Sequence, residues 1–203
     1  MSQDKPEPPP AEVAELAEGC RRFVRESVGV ALDGTQDTLP LLDHYLREVP
    51  ADAPEDVKRL VAASAGAYFG EVVRSHLPGA RWVAPAGRYE AWRVQFETCF
   101  LAFHPVAMAW EALEGAEVPG WFGNLHVSDE DREALQQAFE RVGAVAEEDY
   151  YRLAVRFEAI QLAYEVLAAR RSEGGRKRRR PFGPEAYAHL DAEAAASGRD
   201  REV

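Results

Sequence analysis

Residues 66–83 read Gly66-Ala67-Tyr68-Phe69-Gly70-Glu71-Val72-Val73-Arg74-Ser75-His76-Leu77-Pro78-Gly79-Ala80-Arg81-Trp82-Val83, and the hydrophobic period changes within them. Upstream of Pro78, Leu60, Val61, Ser64, Tyr68, Glu71 and Val72 keep the three- and four-residue spacing of a helix. Gly66 and Gly70 lie one turn apart on that helix. Each costs about 1 kcal/mol there, which is tolerable where another element approaches closely. Pro78-Gly79 stops the helix and the short apolar Trp82-Val83-Ala84 follows. After a Pro85-Ala86-Gly87 turn, residues 91–97 alternate strictly, with Trp92, Val94 and Phe96 on one face and Arg93, Gln95 and Glu97 on the other. Cys99 to Phe103 is nearly all apolar and reads as the most buried strand; His104-Pro105 breaks it and opens a helix with Val106, Ala109, Trp110 and Leu113 inward. The expected unit is a helix laid on a three-stranded antiparallel meander.

Outward from that unit the chain is helical. Val13, Leu16, Cys20, Phe23, Val24 and Ser27 mark a helix from Ala11 to about Leu32, stopped by Asp33-Gly34; Pro40 then sits in the first turn of a helix carrying Leu41, Leu42, Tyr45 and Leu46. The third helix starts near Pro54-Glu55-Asp56, with acids at its positive end. Residues 115–127 read as a Gly/Pro/Trp loop, and Ser128 with Asp131 nearly matches a capping box for a helix with Leu135, Ala138, Phe139 and Val142 inward. The last long helix covers about 147–171. The expected fold is α+β: about six helices, gathered on one face of a small three-stranded meander, in a single domain of residues 11–171. The Pro-rich residues 1–10 are expected to be disordered. Residues 172–203 form a basic, then polar, tail expected to be mostly disordered, with a short helix near 184–196.

Composition sets limits on function. An apolar content of 46 % across 203 residues is ample for one core. No run of 18 apolar residues occurs and the N-terminus lacks the apolar stretch of a secretory signal, so a cytoplasmic protein without membrane partners is expected. Cys20 and Cys99 form no Cys-x-x-Cys pair and are expected to be buried thiols. The net charge of −11 is uneven: residues 1–169 carry 29 acids against 15 bases, whereas residues 170–203 carry 6 against 9. An acidic body repels nucleic acid and stays available to a basic protein partner.

The polar candidates are few. His44, His76, His104, His126 and His189 show no metal-ligand spacing, so no metal is expected, and no nucleotide or cofactor fingerprint occurs. His104 stands where a buried strand meets a helix N-terminus, a place where side chains face clefts. Its competing role is to cap the helix or bond a backbone carbonyl. Glu71, if it faces the sheet, must pair with Arg74 or Arg93 or work with His104 as an acid–base pair. Trp121 and Phe122 are either interface anchors or a lid folded over the sheet. Arg176, Lys177, Arg178, Arg179 and Arg180 would grip phosphate or an acidic surface, or serve as a solvated linker; no aromatic interleaves them to stack on bases.

The run from Gly66-Ala-Tyr68-Phe-Gly70-Glu71-Val72 through Arg81-Trp82-Val83 to His104-Pro105-Val106 resembles a group of small bacterial domains of unknown function. The segments Leu32-Asp33-Gly34 and Leu39 to Leu46 are similar too, so the resemblance covers about residues 30–113. It implies a bacterial cytoplasmic α+β domain and supplies no catalytic residues. Three functions are open at this point. The leading one is a non-enzymatic protein-binding module, such as an adaptor, an immunity-like inhibitor or an accessory subunit. The others are a small hydrolase or transferase using His104 and Glu71, and nucleic-acid association through residues 170–180.

Overall fold

The computed structural model describes residues 8–173 and 180–190. Among them lie six α-helices: α1 (Ala11–Val28), α2 (Leu39–Glu48), α3 (Glu55–His76), α4 (Pro105–Glu114), α5 (Asp129–Val142) and α6 (Leu153–Glu173). The sheet has strands β1 (Ala80–Val83), β2 (Arg93–Phe96), β3 (Leu101–Phe103) and β4 (His126–Val127), all antiparallel, in the order β1-β2-β3-β4. The fold is α+β, a single domain. No helix among the described residues is long and apolar enough to cross a membrane.

Local chemistry accounts for the element ends. Along α1 the buried residues Val13, Ala17, Cys20 and Val24 recur every three or four positions, and the helix ends on Gly29 at φ 79°, where a side chain would be strained. Asp43 on α2 accepts the backbone N–H groups of Leu153 (2.7 Å) and Ala154 (3.1 Å). A carboxylate from a distant helix therefore does the work of an N-cap for α6. Burial pushes the Asp43 carboxyl up, and the two N–H groups oppose that shift.

The glycines of α3 mark its two closest approaches. A Cβ on Gly66 would lie 2.6 Å from the Cα of Val106 on α4, and one on Gly70 would meet the Trp82 ring of β1. The backbone of α4 cannot give way, so the absence of a side chain at Gly66 is what lets the two helices meet. Phe69 packs edge-on against Phe103 at 6.0 Å, and Phe96 meets Tyr164 of α6 at 5.3 Å. Trp92, Val94, Phe96, Leu101 and Phe103 are thus the helix-facing side of the sheet, inside the main core.

The structure differs from the sequence reading in several places. Val142, read as facing inward, is 74 % exposed at the end of α5, and the last helix starts at Leu153, after a 3-10 turn at Glu147–Asp149. His126 and Val127, read as loop, add a fourth strand by pairing with Ala102 and Leu101. Cys99 lies in the bend between β2 and β3, not in a strand. The Ser128 hydroxyl donates to the Asp131 carboxylate (2.8 Å) and accepts no helix N–H, so the capping box does not close. The largest difference concerns the other sheet face. Arg93 and Gln95 read as the polar face of the strand, yet both are buried, on the side over which residues 180–190 are folded.

That segment holds Tyr187 and Leu190 against Ala102, with Phe100 stacked on Tyr187 at 4.7 Å and edge-on to Phe182 at 5.8 Å. Residues Pro184–Tyr187 form a short 3-10 helix. The register Gln95↔Ala102 sets Phe96 opposite Leu101. In place of a direct rung between them, Leu101 N–H donates to the Tyr187 hydroxyl (3.2 Å), which lies 2.6 Å from the Phe96 carbonyl. The carbonyls of Cys99 and Leu101 also surround that hydroxyl, at 3.0 and 3.2 Å. Burial pushes the Tyr187 phenol up to about 12, so it stays a donor.

Candidate functional site

Two groups of the sequence candidates meet their partners locally. Glu71 accepts two hydrogen bonds from Arg74, Nε at 2.7 Å and a terminal nitrogen at 2.9 Å, and a third from the Trp82 indole N–H at 2.6 Å. It therefore ties α3 to β1. Arg74, with its pKa raised first by the hydrogen bond to Glu71, stays charged. An open cleft of about 840 Å3 runs beside this triad, lined by Pro8–Pro10, His76, Arg81 and Glu97, with Arg81 and Glu97 paired to each other.

His104 lies on the other side of the sheet chemistry. Its Nδ1 is 3.1 Å from the Trp92 carbonyl, which only accepts, so Nδ1 carries the proton. Its ring meets that of His126 edge-on at 5.2 Å. Burial, with help from His126 and Arg93, pushes its pKa down to about 4, and the imidazole is neutral at pH 7. The hydrogen bonds of Glu71 and of His104 run to separate partners, and none joins the two among the described residues.

The strand registers place Arg81, Gln95, Ala102 and His126 side by side on one sheet face. Arg93 belongs to the same face by alternation and donates its Nε to the Gln95 side-chain carbonyl at 3.0 Å. Arg93, Gln95 and His104 are 2 %, 0 % and 4 % exposed. Sequence alternation marked this face as polar; the aromatic spacing Phe182, Tyr187 in the tail was the available sign that something covers it. No group of three or more His, Cys, Asp or Glu residues among the described residues is placed to hold a metal ion.

The loop of residues 115–125 carries the third arrangement. Trp121 stacks on the buried Trp110 of α4 at 5.2 Å. Two residues on, the Gly123 carbonyl accepts from Arg156 at 2.9 Å, and Arg156 is also ion-paired to Glu111 at 2.5 Å. A Cβ on Gly123 would collide with the Glu111 carboxylate, so the loop passes directly over the pair. Burial pushes the Glu111 carboxyl up while Arg156 pulls it down. A buried pair of this kind adds little net stability, but removing one partner costs about 3–5 kcal/mol, so the loop position is firmly specified. Between these two anchors Phe122 remains 45 % exposed.

A second cleft, of about 500 Å3, opens between α2, α4 and the start of α6, lined by Arg47, Lys58, Glu114 and Arg152; there Lys58 is paired with Glu114 at 3.0 Å. Of the basic run, Arg180 is described: its backbone carbonyl accepts from Arg171 at 2.6 Å, and Arg171 lies over the Phe182 ring at 4.1 Å. Arg176, Lys177, Arg178 and Arg179 lie outside the described residues. No curated protein and no solved structure matches the chain. Over residues 1–95 the chain is similar to a family of unknown function (DUF6278), a match that reaches into β2 and takes in all of α1, α2, α3 and β1.

Proposed function

We propose that this chain is a non-enzymatic protein-binding module whose partner docks on the loop of residues 115–125, with Phe122 as the anchor. The observation that carries this reading is the way Phe122 is presented. Its neighbours on both sides are fixed, Trp121 by the stack on Trp110 and Gly123 by Arg156, while Phe122 itself stays exposed. An aromatic held rigidly in the free protein loses little entropy on binding, which is the property of interface anchors. The acidic excess of residues 1–169 suits a partner with a basic rim, which would add association rate and salt dependence. Glu71 and His104 support the reading from the other direction, because each is tied into a structural contact.

The test is a pulldown from lysate at low and moderate salt, comparing the natural chain with Phe122→Ala and with Val145→Ala as a similarly exposed apolar control. One stoichiometric protein is expected with the natural chain and the control, with retention reduced by at least about tenfold in Phe122→Ala. Equal retention by all three chains would reject Phe122 as the anchor.

A further inference from the structure

We propose that the outer edge of β1 is a strand-addition site, at which an extended segment of another protein pairs with Ala80 and Trp82. β1 stands at the end of the order β1-β2-β3-β4, with β2 on one side. In their register Ala80 is opposite Phe96 and Arg81 opposite Gln95. One step further out, the Glu97 N–H donates to the Gly79 carbonyl at 2.9 Å. Antiparallel pairs alternate between those that exchange hydrogen bonds and those that do not, so Gly79, Arg81 and Val83 bond to β2. The N–H and C=O groups of Ala80 and Trp82 therefore point away from it. The same alternation on β2 turns the Phe96 carbonyl toward β3, where the Tyr187 hydroxyl meets it at 2.6 Å. Among the described residues, nothing takes up the outward main-chain groups of Ala80 and Trp82.

The space beside that edge is open. Ala80 and Trp82 both line the cleft of about 840 Å3, as do Pro8, Pro9 and Pro10. Prolines have no N–H and cannot donate to the Ala80 and Trp82 carbonyls. The Pro10 carbonyl is itself taken by the Ala14 N–H of α1 at 3.0 Å. An extended chain supplies donors and acceptors together, at the strand period, which is how peptides join a sheet edge.

The register also sets the chemistry of the segment. Its residues facing Ala80 and Trp82 must carry an N–H and so are not proline. The residue between them stands opposite Arg81. Opposite charges across a strand pair stabilise it and like charges directly opposite destabilise it, so that residue is Asp or Glu. A second copy of this chain fits less well, because pairing Ala80 with Trp82 about a two-fold axis sets Arg81 against its own counterpart. None of residues 115–125 lines this cleft, so the edge stands or falls independently of the docking reading.

The test selects a displayed library of random peptides on the full chain, then titrates the best free peptide into full chain labelled with nitrogen-15. In the free chain the Ala80 and Trp82 amides should exchange with solvent faster than those of Arg81 and Val83. The peptide should slow Ala80 and Trp82 by at least about tenfold and leave Arg81 and Val83 within about twofold. N-methylation of the peptide residues that face Ala80 and Trp82 should weaken binding by at least about tenfold, and N-methylation of the residue facing Arg81 should not. Recovered peptides should share Asp or Glu at that central position; a basic residue there would overturn the acidic partner. A library that yields no peptide, or peptides that leave the Ala80 and Trp82 amides unprotected, would overturn the site. So would protection of both amides in the free chain. Protection lost on deleting residues 1–7 would make the chain's own N-terminus the occupant, and protection that grows with concentration would make it a second copy.

Discussion

Single residues show where pattern and surroundings part company. Position His104 was legible as the point where strand turns into helix, because His104-Pro105 interrupts an apolar run. Its neutral state was not, since burial and the nearby His126 and Arg93 come from three different strands and a cover. The consequence is a pH-dependent stability. The unfolded chain takes up a proton on this imidazole near pH 6.5, the folded one only near 4. Between those values the unfolded state binds more protons, so the contribution is fully present above about pH 6.5 and is lost as pH falls to 4. Its size is about 3 kcal/mol. Urea unfolding at pH 7 and pH 4 should therefore show a smaller acid loss in His104→Gln than in the natural chain. An identical loss would place the acid sensitivity elsewhere.

Elements were legible where one period governs them. α1 follows its apolar stripe, whereas α3 is buried on all sides from Val61 to Gly70 and α4 from Pro105 to Glu111, and the two glycines of α3 sit where α4 and Trp82 come closest. The two-residue strand β4 was not legible, because it is defined by its pairing with β3 and carries no alternation of its own. Nor was the covered side of β2: alternation separates two faces but does not say that both are buried. The β2–β3 hairpin is completed from outside by Tyr187. Replacing that residue by phenylalanine keeps the ring stack on Phe100 and deletes the hydroxyl. The loss should be about 1–2 kcal/mol in denaturant melts. Hydrogen exchange should quicken at the Leu101 amide, with the α3 amides shifting only by the global loss. An unchanged Leu101 amide would mean that the rung is carried without the hydroxyl.

At the scale of the whole molecule, the stretch similar to the family of unknown function does not contain the whole sheet. It ends at residue 95, inside β2, and leaves out Phe103, Tyr164 and Tyr187, all of which pack on or complete the sheet. Residues 1–95 made alone should show helical circular dichroism without a cooperative thermal transition, whereas the full chain melts in one step. A sharp transition in the fragment would show that α1–α3 suffice for a core. The α+β class and the single domain were legible because helix and strand periods segregate along the chain. The tail was not, because Phe182, Tyr187 and Leu190 are isolated in polar and alanine-rich sequence and gain meaning only from the turn they meet. The bond from Leu101 to Tyr187 spans 86 residues. On the ribosome, that separation amounts to about 4–17 s of synthesis during which the hairpin carries an open rung and an uncovered face. A nascent chain would therefore spend that interval with its most pairing-prone strands open to other chains, and arrival of the last turn is what closes that window.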